Sequence, residues 1–170
     1  MYIYKVNSSD GAVQKKFLLR EDTPVSRAIL EDPEGGYIIG TGDAEFIEGG
    51  RYPAITQIIK LDENLDSIIW KLPLSETQSF NIFWHLEKFI SLGNNEFLGI
   101  GVADMTTPFS HLGRIVKFTG DGELIFDKEI YNVESTPDLE QRLVDVVPYK
   151  DGFVAVGTLL ALSNLSLIHI

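Results

Sequence analysis

Two kinds of apolar segment alternate along this chain, and each occurs three times. The first kind is Ile3-Tyr4-Lys5-Val6-Asn7, Ile58-Ile59-Lys60-Leu61-Asp62 and Ile115-Val116-Lys117-Phe118-Thr119, whose lysines lie 55 and 57 residues apart. The second is an apolar stretch, a turn and a further apolar stretch holding glycine: AILEDPEGGYIIGTG, FISLGNNEFLGIGV and VVPYKDGFVAVGT. In these, Gly40, Gly99 and Gly157 lie 59 and 58 apart. Two independent landmarks sharing a period of about 57 residues point to a repeat architecture. The period lies near that of propeller blades and far from the roughly 33 to 34 residues of helical arrays.

Each segment reads as a β-hairpin. Ile58 to Leu61 and Ser67 to Trp70 flank a polar Asp-Glu-Asn-Leu-Asp connection, and Asn7 to Gly11 and Thr119 to Gly122 do the same in the other copies. Glu34-Gly35-Gly36, Gly93-Asn94-Asn95 and Lys150-Asp151-Gly152 supply left-handed turn residues for the second kind. Runs such as Tyr37-Ile38-Ile39 and Phe153-Val154-Ala155-Val156 are apolar without alternation, as expected of strands covered on both faces. Helix signals are nearly absent.

Two hairpins per period make a four-stranded antiparallel unit, so the sequence predicts an all-β partial β-propeller of stacked blades. The boundaries are a half blade at 1–20, blades at 25–72 and 84–130, a half blade at 142–160 and a non-repeat tail at 161–170. That is about three blades' worth of strands, below the usual minimum of four, which implies a piece of a larger propeller. The exposed sheet edges of such an arc favour association with neighbouring blades of a parent protein, or self-association.

Composition narrows the partners. A net charge of −11 disfavours phosphate backbones and anionic lipid surfaces, so no nucleic acid is expected. The absence of cysteine removes disulfides, thiolate metal sites and cysteine nucleophiles. No run approaches a membrane span, and the opening residues lack the form of a signal peptide.

The texture GGYIIGTG followed by IIKLDENLDSIIW resembles the blades of secreted or surface bacterial β-propellers, over about residues 2–160. Asp62 with Trp70 eight residues on is similar to the tryptophan-docking motif of quinoprotein blades, although Asp66 stands at the place of a glycine there. The resemblance implies a packing role for Trp70 between neighbouring blades and an extracellular, surface or periplasmic location; because of Asp66 and the lack of a tryptophan in the other copies, no quinone cofactor is carried over and none is expected. Blades of this type are scaffolds for many functions, so the resemblance names no substrate. Ser166 to Ile170 resembles translated sequencing-adapter read-through, which implies a non-biological tail; the alternative is a native short strand.

Few motifs carry chemistry. Asp62-x-Asn64-x-Asp66 matches the first calcium-ligand positions of an EF-hand loop, but Ser67 and Pro73 stand where glycine and glutamate are needed, so a hairpin turn is expected and no metal. His85, His111 and His169 show no paired spacing, and His111 is expected on a surface loop. There is no G-x-S-x-G elbow and no phosphate loop at Gly40-Thr41-Gly42, whose glycines fit close strand packing. Lys5, Lys60 and Lys117 are expected to point outward and snorkel over the blade surface. Catalytic residues cannot be named.

Connection lengths are more telling. The turns within hairpins are short, whereas the connections at 43–53, 75–84, 104–111 and 131–141 are longer and fall on one face of a propeller. Long loops on a rigid scaffold are where binding resides. The ligand-binding candidates on that face are Asp43, Glu45, Arg51, Tyr52, Asp104 and His111. Phe80, Ile82, Phe83 and Trp84 are expected to plug the next blade. The reading is a recognition scaffold for a protein or carbohydrate ligand; the alternative is part of an enzymatic propeller, of hydrolase or quinoprotein type, completed by further blades.

Overall fold

The computed structural model describes residues 2–19, 24–43, 46–47, 50–51, 56–74, 84–104, 111–130, 139–150, 152–161 and 164–169, and none of these is helical. The N-terminal hairpin joins β1 (Tyr2–Val6) to β2 (Val13–Leu18). A first four-stranded antiparallel sheet has the order β3-β4-β7-β8, from Pro24–Glu31, Tyr37–Asp43, Gln57–Leu61 and Ile68–Pro73. A second, β9 to β12, comprises Trp84–Gly93, Glu96–Asp104, His111–Thr119 and Leu124–Ile130 in meander order. A third sheet holds β13 (Leu139–Tyr149), β14 (Gly152–Ala161) and β15 (Asn164–His169). A small hairpin of β5 (Phe46–Ile47) and β6 (Gly50–Arg51) lies within the connection between β4 and β7.

The turns form where backbone freedom permits them. Gly35, Gly36, Gly93, Asn94, Asn95 and Lys150 all have positive φ, as do Leu65 and Gly122 in the outer hairpins. In the β7–β8 turn the Asp62 carboxylate accepts from the main-chain N–H groups of Asn64, Asp66 and Ser67 and from the Ser67 hydroxyl. Those bonds hold its pKa below the ordinary value, the Ser67 hydroxyl most of all. This is a carboxylate-organised turn, and its oxygens are already engaged with the loop.

Pairing registers of the two large sheets can be laid one on the other. Lys60 stands between Ile38 and Trp70, and Lys117 stands between Leu98 and Phe126. The first strand of each sheet carries one extra residue near its start: Arg27 in β3, Glu87 in β9 and Val144 in β13. With these bulges as landmarks, Gly99 falls level with Ile39 and Ala155, and Gly40 falls level with Ile100 and Val156. The three glycines used as a sequence landmark therefore do not share one register place. Gly40 nevertheless serves close packing: a Cβ there would meet Leu86 Cβ at 3.0 Å and Phe89 Cζ at 3.1 Å.

Apolar residues fill three interfaces. Ala28, Ile38, Ile58 and Leu74 of the first sheet meet Leu86, Phe89, Phe97, Val116 and Phe118 of the second. Leu98, Ile100 and Ile115 on the opposite face of the second sheet meet Leu143, Val146 and Ala155 of the third. Ile39, Ile59, Leu61 and Leu65 take Ile3, Phe17 and Leu19 of the N-terminal hairpin. Adjacent isoleucines such as Ile38–Ile39 and Ile58–Ile59 are both buried because each sheet between neighbours has two covered faces.

Trp70 lies between sheets, as its place on the fourth strand suggested. Its indole Nε1–H donates to the Gly120 carbonyl at 2.8 Å, its ring meets Phe118 edge-on, and Gly122 lies against its face. A Cβ at Gly122 would stand 2.9 Å from the ring, at a φ of +85°, so only glycine fits there without displacement.

The lysine expectation needs correction. Lys60 is buried, its Nζ 2.6 Å from the fully enclosed Asp32 carboxylate and 3.4 Å from the Gly120 carbonyl. Stacking of the second sheet over β7 closes the solvent path along which the side chain was expected to run. Lys117 pairs with Glu96 at 2.7 Å, and Lys5 reaches the Glu63 carbonyl at 3.4 Å. His111 is likewise no loop residue: its backbone opens β11 opposite Asp104.

Candidate functional site

Of the sequence candidates, the backbone of four, Asp43, Arg51, Asp104 and His111, lies among the described residues. Asp104 and His111 are backbone partners at the ends of β10 and β11. Asp43 ends β4 opposite Pro24, and Arg51 ends the small hairpin opposite Phe46. Glu45 and Tyr52 lie outside the described residues, as do Phe80, Ile82 and Phe83; Trp84 opens β9.

A different constellation forms where the first strands of three sheets run side by side. Glu87 is the extra residue of the β9 bulge, which turns a polar side chain out of an otherwise apolar strand. Its Oε1 receives the Arg27 guanidinium of β3 at 3.1 Å, lies 2.9 Å from His85 Nε2, and takes the Arg142 guanidinium of β13. One carboxylate oxygen thus ties the first, second and third sheets together. Beside it Lys88 pairs with Asp145, which also accepts from the Val146 N–H.

Electrostatics follow from that geometry. Burial pushes the His85 pKa below its ordinary value, and the Arg27 charge pushes the same way; Glu87 opposes both without prevailing. His85 is therefore a neutral imidazole at neutral pH, with Nε2–H placed to donate to Glu87. For Glu87, burial alone would raise the pKa, but the bond from Arg142 and the charges of His85, Arg142 and Arg27 bring it below the ordinary value. Asp145 is held low by Lys88 and the Val146 N–H. The cluster is a fixed carboxylate with two guanidinium groups that it does not saturate, each bearing five donors in a planar fork. The Arg142 Nε–H is buried and has no acceptor among the described residues, whereas Arg27 is partly open to solvent. A further carboxylate therefore has its solvent-side approach at Arg27.

Arg27, Glu87 and Arg142 belong to strands and not to the long connections, and His85 stands out in the sequence only as a histidine without paired spacing. A signal was present in the form of charge inside the apolar runs Val-Ser-Arg-Ala-Ile-Leu and His-Leu-Glu-Lys-Phe-Ile, 60 residues apart at Arg27 and Glu87. The bulge that brings them level is visible only in the pairing.

No group of three or more His, Asp or Glu suited to holding a metal ion occurs among the described residues. Nor is any helix there long and apolar enough to cross a membrane. No protein-family model matches the chain, and a search of curated proteins finds no match either.

Proposed function

We propose that the stacked sheets are blades of a β-propeller and that the chain acts as a recognition scaffold for a carboxylate-bearing ligand, of the protein or carbohydrate kind. The binding surface is the end of the sheets from which the long connections leave, together with the charged rim of the first strands. The observation that carries this reading is the convergence of Arg27, His85 and Arg142 on Glu87, from three separate sheets, close to the Pro24, Trp84 and Leu139 ends of their strands. A rim of guanidinium donors is uncommon chemistry for a chain of net charge −11, and local positive charge inside a negative surround gives selectivity for a precisely placed acidic group over diffuse polyanions.

The test is an NMR titration of the whole chain with an oligogalacturonate and, separately, with a glutamate-rich peptide. Resonances of Arg27, His85 and Arg142 should shift with one of them, and an Arg27→Gln/Arg142→Gln variant should lose the response. Shifts confined to the opposite end, at Gly93 to Asn95 and Gly120 to Gly122, would overturn the reading. So would silence toward both probes.

A further inference from the structure

The same register place has two fates in this molecule. Phe89 pairs with Gly99, Val146 with Ala155 and Ile29 with Ile39, and these three pairs are level by the bulge landmarks. Phe89 is 3% exposed and Val146 2%, whereas Ile29 is 57% exposed. Phe89 is covered by the β3–β4 pair, which lies over it at Ala28 and Gly40, and Val146 is covered by the second sheet. Among the described residues, the face of β3–β4 bearing Ile29 has the outer hairpin β1–β2 above it and no further sheet. There a cavity of about 220 Å³, lined by Lys5 and by apolar or aromatic residues that include Ile3, Tyr4, Ile29, Tyr37 and Leu65, opens beside the strand edge of β1, whose pairing among the described residues is with β2 alone.

At the far end of the stack the complementary face is open. Val147 of β13 lies level with Leu30 of β3 and with Ile90 of β9, and Tyr149 ends β13 two residues on. Ile90 and Leu92 pack against the third sheet, and Leu30 packs against the second. Among the described residues Val147 and Tyr149 join none of the apolar clusters between sheets, and they are 53% and 55% exposed, with Lys150 Nζ 4.9 Å over the Tyr149 ring. Within the chain, this kind of face twice lies on the kind of face that carries Ile29.

We infer that copies of this chain associate head to tail, the β13–β14 pair of one copy seating its Val147–Tyr149 face on Ile29 and Tyr37 of the next, alongside β1. The occupant is a second copy because the chain displays both halves of a contact that it already makes twice internally. By the register of β4 on β7, where Ile38 stands opposite Lys60, Val154 of β14 would stand opposite Lys5 of the next copy's β1. β15 pairs with this edge of β14 from Val156 to Ala161, which leaves the edge at Val154 without a ladder partner among the described residues. Docking gives that free part of the edge a partner in β1. The contact is heterologous, so it propagates or closes into a ring according to the rotation per copy.

Light scattering across a concentration series should show a mass above that of one chain, rising with concentration. Ile29→Glu and Val147→Glu, both at exposed places that the fold tolerates, should each return the protein to one chain. A mass of one chain at every concentration would overturn the inference, and so would association indifferent to Ile29→Glu. Because the natural chain has no cysteine, trapping is clean. Mixing Lys5→Cys with Val154→Cys under mild oxidation should give a mixed disulfide, while Val13→Cys on the outer strand β2 should not pair with Val154→Cys. Equal trapping at Val13 and Lys5 would also defeat it. Ligand titration at the Arg27–Arg142 rim reports separately, since the charge-removing variants there leave Ile29 and Val147 intact.

Discussion

Two outer hairpins, β1–β2 and β7–β8, rest on neighbouring sheets in the same register and are fastened by different chemistry. Lys5 and Lys60 each reach a main-chain carbonyl in the neighbouring outer turn, Glu63 and Gly120 respectively. Across each hairpin, Lys15 stands opposite Lys5 as Trp70 stands opposite Lys60. Lys15 pairs with Asp66 in solvent, whereas Trp70 is wedged against Phe118 and Gly122 with its indole N–H engaged. The lesson is that a shared backbone geometry does not imply shared cohesion. A solvated ion pair contributes roughly 0 to 1 kcal/mol, and a packed indole contributes several times that. The N-terminal hairpin is accordingly the weaker attachment of the two.

The sharpest way to break that contrast is at Lys60. Replacing it with Met leaves the enclosed Asp32 carboxylate without its cation, and chemical denaturation should register a loss of about 4 kcal/mol. Replacing both, as Lys60→Met/Asp32→Leu, should recover most of it. If the single variant loses less than about 1 kcal/mol, the pair is not the buried fastening described. Next, Trp70→Ala should cost about 3 kcal/mol, and Trp70→Phe about 1 kcal/mol for the lost bond to Gly120. Lys15→Ala, at the matching place on β2, should change stability by less than about 0.5 kcal/mol and lose even that in high salt. A large Lys15 effect would erase the distinction between the two hairpins.

The finest measurement is a pH profile of the denaturation midpoint. His85 resists protonation in the folded state, so its contribution is fully present above its ordinary value of 6.5 and is lost as pH falls below it, through the lower folded value. Glu87 also has a lowered folded pKa, and its contribution is lost as pH falls below 4.5 through that value. His85→Gln should flatten the upper window and narrow the lower one, since His85 is among the groups that hold the Glu87 pKa down. A midpoint that is level between pH 7 and 5 in the natural protein would contradict the His85 environment.

Strands and turns were legible because their signals are local. Gly35-Gly36, Gly93-Asn94-Asn95 and Lys150 mark turns by backbone freedom, and β3, β4, β7 and β8 fall within a residue or two of the apolar runs that suggested them. The place of Trp70 was legible too, since an indole on an outer strand has to find cover. Lys60 was misread because its burial depends on a second sheet 60 residues away, at Gly120, and on Asp32 across the first. The charged rim escaped for a related reason. A bulge at Glu87 decides which side chains meet, and a bulge leaves no trace in hydrophobic alternation when the strand is apolar on both faces.

Gly120 has one further consequence. Its carbonyl receives donors from two strands of the first sheet, Trp70 of β8 and Lys60 of β7, at the turn end of the stack. Near the other end, on the first strands, Arg27 and Glu87 join the same two sheets. The two pins bracket the apolar contact between the sheets, so sliding along the strands or lifting apart at either end strains one pin or the other.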